Sequence, residues 1–501
     1  MDMGGIVDSL KDKTILVTGS SGFLAKIFVE KVLRVQPDLK TLYLLLRAAD
    51  NKAAKQRLHD EMLPKEVFRV LREKMGAGFV DFIGEKIVPV AGDTTCENLG
   101  VEDSDLRDKM WRDIDIVVNT AATLKFDERY DIALSTNTLG AKNVLEFAKK
   151  CVKLQNLVHV STAYVCGEKL GLVLEKAFEM GETLNGNLDL DIEHERKLVR
   201  DTLDNLRAQG VTKELERAAM KQLGQKRARQ YGWPNTYVFT KAMGEMLIGQ
   251  LRGDLPVSII RPSIITSTIR EPFPGWVEGI SISSFLLSPY SHIDRLAIGY
   301  GKGKIPCFLG DSELVIDLIP VDMVANAMVV AAIFNANQPS QYICHVSTSL
   351  RKPLKSLKLR DYGHEYFSRN PWINEHGKSV KVTMPIVFST MESFRRYIYI
   401  RYLSMLKVLQ LLNALFCQYW QGLYKDLNGK IRLVLRLVEL YEAYIFFQGV
   451  FDDSNAERMR MKLISASNLK ADTFYFDPNL IDWNDYIVNI HIPGVVRHSF
   501  K

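Results

Sequence analysis

Along the first 270 residues, short runs of consecutive apolar residues alternate with longer stretches in which apolar positions recur every three or four residues. The runs are Ile15–Val17, "TLYLLLR" (41–47), "KIVPVAGD" (86–93), "IDIVVNTAA" (114–122), "NLVHVSTAYV" (156–165) and "VSIIRPSII" (257–265). Partly β-branched runs of this length predict strands buried on both faces. The helical period between them, as in "FLAKIFVEKVL" from Phe23 and "NTLGAKNVLEFAKKC" from Asn137, predicts helices. Their alternation predicts an α/β fold, a Rossmann-type doubly wound parallel sheet with helices on both faces. Between 168 and 232 the sequence turns charged and helix-favouring, which reads as a helical insertion. From 351 the strand pattern gives way to a Lys-rich link, a Pro/aromatic stretch and helical sequence from Ser393 to Val450. Residues 8–350 and 351–501 are therefore predicted to form an α/β domain and a mainly helical C-terminal domain.

In that second region, positions 408, 409, 411, 412, 415 and 416 make one apolar helical stripe. The longest charge-free run, between Lys407 and Lys425, has 17 residues and contains Gln410, Asn413, Gln418 and Gln421. A membrane span needs about 20 predominantly apolar residues. The stripe is expected to pack into a core or lie in a membrane interface rather than cross a bilayer. Charge adds to this picture: the net value is only +6, yet residues 351–440 hold 16 Lys/Arg against 6 Asp/Glu. Interleaved with aromatic residues, this excess suits anionic phosphates or an anionic membrane surface, and equally a solvated basic face; no nucleic-acid-binding motif accompanies it. Over 501 residues, 47% hydrophobic and 25% charged, the composition is globular. The six cysteines, Cys96, Cys151, Cys166, Cys307, Cys344 and Cys417, include no Cys-x-x-Cys pair, and no His-Glu-x-x-His is present. Neither a disulfide framework nor a zinc site is expected, which fits a reducing compartment. The N-terminal "MDMGGIVDSLKDK" has no apolar signal core and no transit-peptide character.

Candidate chemistry begins at "TILVTGSSGFLAK" (14–26), an apolar strand that breaks into Gly19 and Gly22 and restarts as a helix. The unpaired N–H groups at such a helix start suit a phosphate. The place of a third glycine is taken by Lys26, beside Ala25. In "TYVFTKAMGEML", Tyr237 and Lys241 are four residues apart on a helical pattern and share a face. An adjacent ammonium is expected to lower the phenol's pKa and make Tyr237 a proton donor. Ser161 and Thr162 end a strand at the carboxyl edge of the sheet, where ligands bind. There Thr162 is placed to hold a carbonyl oxygen, or both hydroxyls simply cap the helix that follows. The second strand ends in Arg47, a cation suited to the 2′-phosphate of NADPH.

TGxxGF, "VAGD", "NTAA", "VSTAYV", Tyr-x-x-x-Lys and "RPSII", in this order, resemble the extended short-chain dehydrogenases/reductases. More narrowly, "ILVTGSSGFLAKIFVEKVLR", "LYLLLRA", "EPFPGWVEG" and "GKGKIPCFL" are similar over nearly the whole chain to plant-type alcohol-forming fatty acyl-CoA reductases. The resemblance implies reduction of a long-chain fatty acyl-CoA to a primary alcohol through a bound aldehyde, using two NADPH. It puts Gly19, Ser21, Gly22, Phe23 and Leu24 at the pyrophosphate, Asp93 near the adenine, Asn119, Ala121 and Ala122 along the cofactor and Pro262 beside the nicotinamide. Thr162, Tyr237 and Lys241 are implied in catalysis, Lys241 also binding the nicotinamide ribose, with Asn137 holding the lysine through water. Trp276 and the aromatic-rich helices after 393 are candidate walls of an acyl tunnel, or plain core; Lys302 and Lys304 are candidates for the phosphates of coenzyme A. Asp322 reads as a helix N-cap rather than a catalytic acid. The expected location is the endoplasmic reticulum surface or the cytoplasm. Three alternatives stay open: an aldehyde-forming acyl-CoA or acyl-carrier-protein reductase, a sugar-nucleotide enzyme, and a non-catalytic dinucleotide sensor.

Overall fold

The computed structural model describes residues 5–278, 292–374, 376–416, 418–466 and 471–498. Seven strands, β1 (Thr14–Thr18), β2 (Thr41–Leu46), β3 (Ile87–Ala91), β4 (Ile116–Asn119), β5 (Asn156–Val160), β6 (Val257–Pro262) and β7 (Gln341–Val346), form one sheet. Its order is β7-β6-β5-β4-β1-β2-β3, with every neighbouring pair parallel. The six apolar runs supply β1 to β6. Strand β7, "QYICHV", went unread because Gln341 and His345 interrupt its apolar pattern. In the fold His345 is buried, its Nδ1 2.8 Å from the Asp452 carbonyl.

Burial on both faces accounts for the runs. In β1, Ile15 and Val17 join one core with Ile27 and Phe28 of helix α1 (Phe23–Val35), while Leu16 joins the opposite core with Val144 and Leu145 of helix α2 (Gly140–Lys149). The chain reverses its direction of winding between β1 and β4, so the crevice for ligands lies at their carboxyl ends.

The insertion is helical only in its second half. Helix α3 (Ile192–Ala208) is capped by the Asp191 carboxylate and helix α4 (Lys213–Gln230) by the Thr212 hydroxyl. Buried Glu195 ties both to the sheet domain, pairing with Arg227 and accepting a 2.7 Å hydrogen bond from Tyr130. Residues 168–191 are largely irregular, and their strand Gly171–Val173 pairs in parallel with Gly449–Phe451. The expected helical run to Val450 therefore stops at Ile445, and Val450 sits in that strand.

After helix α5 (Thr236–Leu251), the C-terminal region contributes helices α6 (Met391–Ile398), α7 (Ser404–Leu415) and α8 (Gln421–Ile445). Phe474, Phe476, Trp483 and Tyr486 enter the same core as α1, and Leu354–Lys355 pairs back onto Val315–Ile316. The stripe on α7 is not in a core: Val408, Leu411, Leu415 and Phe416 are exposed. Among the described residues no helix is long and apolar enough to cross a membrane, and no group of His, Cys, Asp or Glu is arranged to hold a metal ion. Cys96, Cys151, Cys166, Cys307 and Cys344 are free thiols; Cys417 lies outside the described residues.

Candidate active site

The turn after β1 is fixed by close packing. Gly19 has φ +64°, and a Cβ there would lie 2.7 Å from the Ala121 nitrogen and 2.8 Å from its Cα. Only glycine fits both the left-handed backbone and this approach to the chain leaving β4. Gly22 donates to the Gly19 carbonyl at 2.9 Å and stands at the head of α1, whose first turn no side chain caps. Its N–H groups are thus left for an anion. Lys26, in place of a third glycine, is buried; its ammonium donates to the Ser21 carbonyl at 2.6 Å and pairs with Glu278. Burial pushes its pKa down and Glu278 pulls it back up. The turn is braced from beneath by a lysine.

The Asn235 side chain caps α5 by accepting from the Val238 N–H at 3.2 Å, which places Tyr237 in the first turn and Lys241 one turn later. Both are buried at the end of β5. Burial pushes the Tyr237 phenol up from its ordinary value, and a hydrogen bond with Thr162 opposes that rise. Burial brings Lys241 down to about 8, against the pull of Glu245. Its Nζ donates to the Val160 carbonyl at 2.8 Å. The expectation that Lys241 depresses the phenol is therefore corrected: the lysine's hydrogen bond goes to the main chain, and Thr162 is the group that favours phenolate. Thr162 caps the turn, its Oγ1 accepting from the Tyr164 N–H at 3.4 Å, and it donates to the Pro262 carbonyl at 3.5 Å. These are long bonds that a substrate oxygen can replace. The neighbouring Ser161 Oγ is buried with no partner among the described residues.

A single cavity of about 1210 Å³ joins these parts. It is lined by Gly19, Ser21, Gly22, Phe23 and Leu24, by Arg47, Asp93, Ala121 and Ala122, and by Thr162, Tyr237, Lys241 and Pro262. It continues past Lys304 to Ile431, Val434, Val438, Tyr441 and Tyr444 of α8. Phe126 bridges the two ends, its ring stacked 5.9 Å from Tyr237 and 4.7 Å from Tyr444.

Four expected residues are not among those lining it. Asn119 lies below, its Oδ1 accepting from Thr18 Oγ1 at 2.6 Å and its Nδ2 3.0 Å from His159 Nδ1. Asn137 is engaged by Thr123 (2.9 and 3.1 Å) and Thr240 (3.0 Å), so its side chain supports the backbone beside α5. Trp276 is core, packed 5.2 Å from Phe23 behind the glycine turn. Lys302 sits over the Trp372 ring at 4.8 Å. Asp322 lies one residue inside its helix, and its carboxylate accepts from the backbone N–H groups of Ile269, Arg270 and Glu271 at 2.9–3.0 Å.

Two residues escaped sequence reasoning. Arg57 lines the cavity and donates to the Arg47 carbonyl at 2.5 Å, while Arg47 pairs with Asp93 at 3.0 Å. The available signal was a second arginine in the helix just after the β2 end. His159, beneath Lys241, is kept neutral by burial and by the lysine's charge, which lets its Nδ1 accept from Asn119. Its position inside an apolar strand gave no sign of this.

A family profile described as "Male sterility protein" matches residues 17–328, and a second of the same description matches 401–501. The chain is 52% identical over 501 residues to an alcohol-forming fatty acyl-CoA reductase of Simmondsia chinensis, and 50% identical to fatty acyl-CoA reductase 1 of Arabidopsis thaliana. In both cases 99% of each chain is covered. The chain belongs to the fatty acyl-CoA reductase family. Among solved structures, the reductase domain of a nonribosomal peptide synthetase from Mycobacterium tuberculosis aligns with a TM-score of 0.56 at 16% identity, covering 99% of this chain and 95% of that one. That likeness concerns the fold. In this fatty acyl-CoA reductase family member, the second profile covers α7 and α8, and the inner side of α8 lines the cavity.

Proposed function

We propose that the protein reduces a long-chain fatty acyl-CoA to a primary alcohol with two NADPH, holding the aldehyde between the two reductions. The observation that carries this is the one cavity running from the glycine turn, past Tyr237 and Lys241, to the apolar side of α8. The residues fit a dinucleotide: Gly19 lets the turn close against the chain leaving β4, and the head of α1 offers uncapped N–H groups at the cavity. Gly19, Ser21, Gly22, Phe23 and Leu24 would hold the pyrophosphate, Arg47 with Arg57 the 2′-phosphate that selects NADPH over NADH, and Asp93 the adenine end. Ala121, Ala122 and Pro262 would flank the nicotinamide end. When bound, the nicotinamide supplies hydride to the acyl carbon.

The chain's own residues manage the oxygen and the protons. Thr162 and Tyr237 donate hydrogen bonds to the thioester oxygen as it gains negative charge. Collapse of that oxyanion breaks the C–S bond and releases the thiol, leaving an aldehyde. At the second reduction the same oxygen becomes an alkoxide, and Tyr237 protonates it. Two hydrides and two protons thus convert the thioester to alcohol and thiol. Lys241 positions the nicotinamide ribose, and Lys304 at the cavity wall faces the coenzyme A phosphates. The apolar wall holds the chain, each buried methylene contributing about 0.8 kcal/mol. On this reading residues 8–350 bind the cofactor and 351–501 complete the acyl site. The protein works at the endoplasmic reticulum surface, because a long acyl chain partitions into membrane and the C-terminal region is basic and aromatic.

The test is incubation of purified protein with long-chain acyl-CoA and NADPH, with products resolved by gas chromatography. Alcohol without accumulated aldehyde, at two NADPH per acyl group, is the expected result. Accumulated aldehyde at one NADPH would make it an aldehyde-forming reductase, and no NADPH consumption with any acyl thioester would overturn the reading.

A further inference from the structure

Among the described residues nothing covers the apolar stripe of α7. Val408, Leu411, Leu415 and Phe416 on this helix, Tyr419 in the turn and Leu423 at the start of α8 are all exposed, Leu415 to 77% and Tyr419 to 81%. This is a contiguous surface on one helical hairpin rather than scattered single residues. Of the polar residues that interrupt it, Gln410 and Gln418 are exposed, whereas Asn413 and Gln421 pair with each other. Asn413 is buried, its Nδ2 donating to Gln421 Oε1 at 2.6 Å and its Oδ1 accepting from the Trp420 N–H at 2.8 Å. Asn413 and Gln421 satisfy one another and lock the turn, so these two side chains place no unmet hydrogen bond on the apolar side.

Charge identifies the occupant. Between Glu392 and Asp426 there is no acidic residue, while Arg395, Arg396, Arg401, Lys407 and Lys425 lie in that interval. Arg396, Arg401, Lys407 and Lys425 are exposed beside the apolar surface. Exposed apolar side chains with several flanking cations, and Asp426 as the single acidic residue at the edge, match a bilayer bearing anionic lipid: the apolar groups enter the acyl boundary and the cations meet the headgroups. The hairpin is also continuous with the cavity. Val434 of α8 both lines the cavity and is 46% exposed, and Phe394, Ile398 and Tyr402 line it from the segment leading into α7.

We propose that residues 399–427, the hairpin of α7 and the start of α8, form a docking surface that seats in the anionic face of a phospholipid bilayer without spanning it, so that the cavity opens toward lipid at Val434. Passage of acyl chain or alcohol directly between bilayer and cavity rests on the function proposed above; docking itself does not.

The full-length chain is mixed with phosphatidylcholine vesicles, with or without about 30 mol% phosphatidylserine, and floated through a density gradient. Flotation with the anionic vesicles is expected. The pair Leu411→Asp and Leu415→Asp should lower the bound fraction about tenfold or more, and Lys407→Glu with Lys425→Glu should abolish the preference for phosphatidylserine. None of these residues lines the cavity, so both variants should still reduce a short, water-soluble acyl-CoA at the wild-type rate. Wild-type protein that stays at the bottom of the gradient, or an aspartate variant that floats equally well, overturns the proposal. So does a dimer in analytical ultracentrifugation that the aspartates disperse, since a second copy then covers this face. If no protein reduces any acyl-CoA, the functional reading fails while the flotation result still stands.

Discussion

Replacing Lys241 with methionine keeps the length of the side chain and removes a charge that the fold holds against its solvation. Lys241 is 2% exposed and burial has brought its pKa from 10.5 to about 8. At 1.36 kcal/mol per pH unit, that difference means the charged lysine is disfavoured by about 3 kcal/mol relative to the unfolded chain. Methionine removes this penalty. It also orphans the Val160 carbonyl, which now accepts a 2.8 Å bond, at a cost of about 1 to 3 kcal/mol. Near pH 7 the variant is therefore expected to be as stable as wild type or up to about 2 kcal/mol more stable, while its turnover is lost.

The pH dependence isolates the charge from the hydrogen bond. Because the folded pKa is below the unfolded one, the unfolded chain binds more protons between pH 8 and 10.5, and the wild-type contribution to stability rises with pH across that window. The penalty is complete below pH 8 and gone above 10.5. The variant lacks it throughout. Denaturant unfolding at pH 7 and pH 9.5 should accordingly show the stability difference moving by about 2 kcal/mol in favour of wild type at the higher pH. A difference that stays constant with pH, or a variant destabilised at pH 7 by several kcal/mol, would refute the reasoning, for the lysine would then be a structural group at no electrostatic disadvantage.

Three further outcomes are expected. Tyr237→Phe should lower turnover by about 10²- to 10⁴-fold with NADPH binding and thermal stability retained, as read by steady-state kinetics and fluorescence titration. Arg47→Ala combined with Arg57→Ala should weaken NADPH binding by roughly tenfold or more and leave NADH binding unchanged, because only the 2′-phosphate is lost as a partner. Val438→Trp should lower kcat/KM for long acyl chains selectively, by roughly fourfold for every methylene it displaces from the cavity, with short-chain substrates as the control.

How far the fold was legible depended on whether a residue's role was local. Strands β1 to β6 are mostly apolar, and a run such as Ile15-Leu16-Val17, buried on both faces, announces a strand directly. In β7, His345 is buried only because the Asp452 carbonyl, brought from more than a hundred residues away, accepts its Nδ1–H. Tyr237 and Lys241 share a helix and could be paired by counting. Asn137 could not be placed, since its amide is claimed by Thr240, 103 residues later in the chain. The stripe on α7 was legible as a stripe. Which element would cover it is a tertiary question, and among the described residues the answer is that none does.

The C-terminal region does more than line the cavity, because it sets the environment of the group proposed to give up a proton. The phenol of Tyr237 owes its raised pKa to burial, and that burial lies against Phe126, which stacks in turn on Tyr444 of α8. Tyr444 accepts a 2.8 Å hydrogen bond from Asn235, the same residue that caps α5 and so fixes where Tyr237 stands. One asparagine thus couples α8 to the start of α5. A phenol pushed up by such a wall remains protonated at neutral pH, which suits a donor to an alkoxide far more basic than itself. The bond to Thr162 then limits the rise at the hydroxyl proposed to give up the proton.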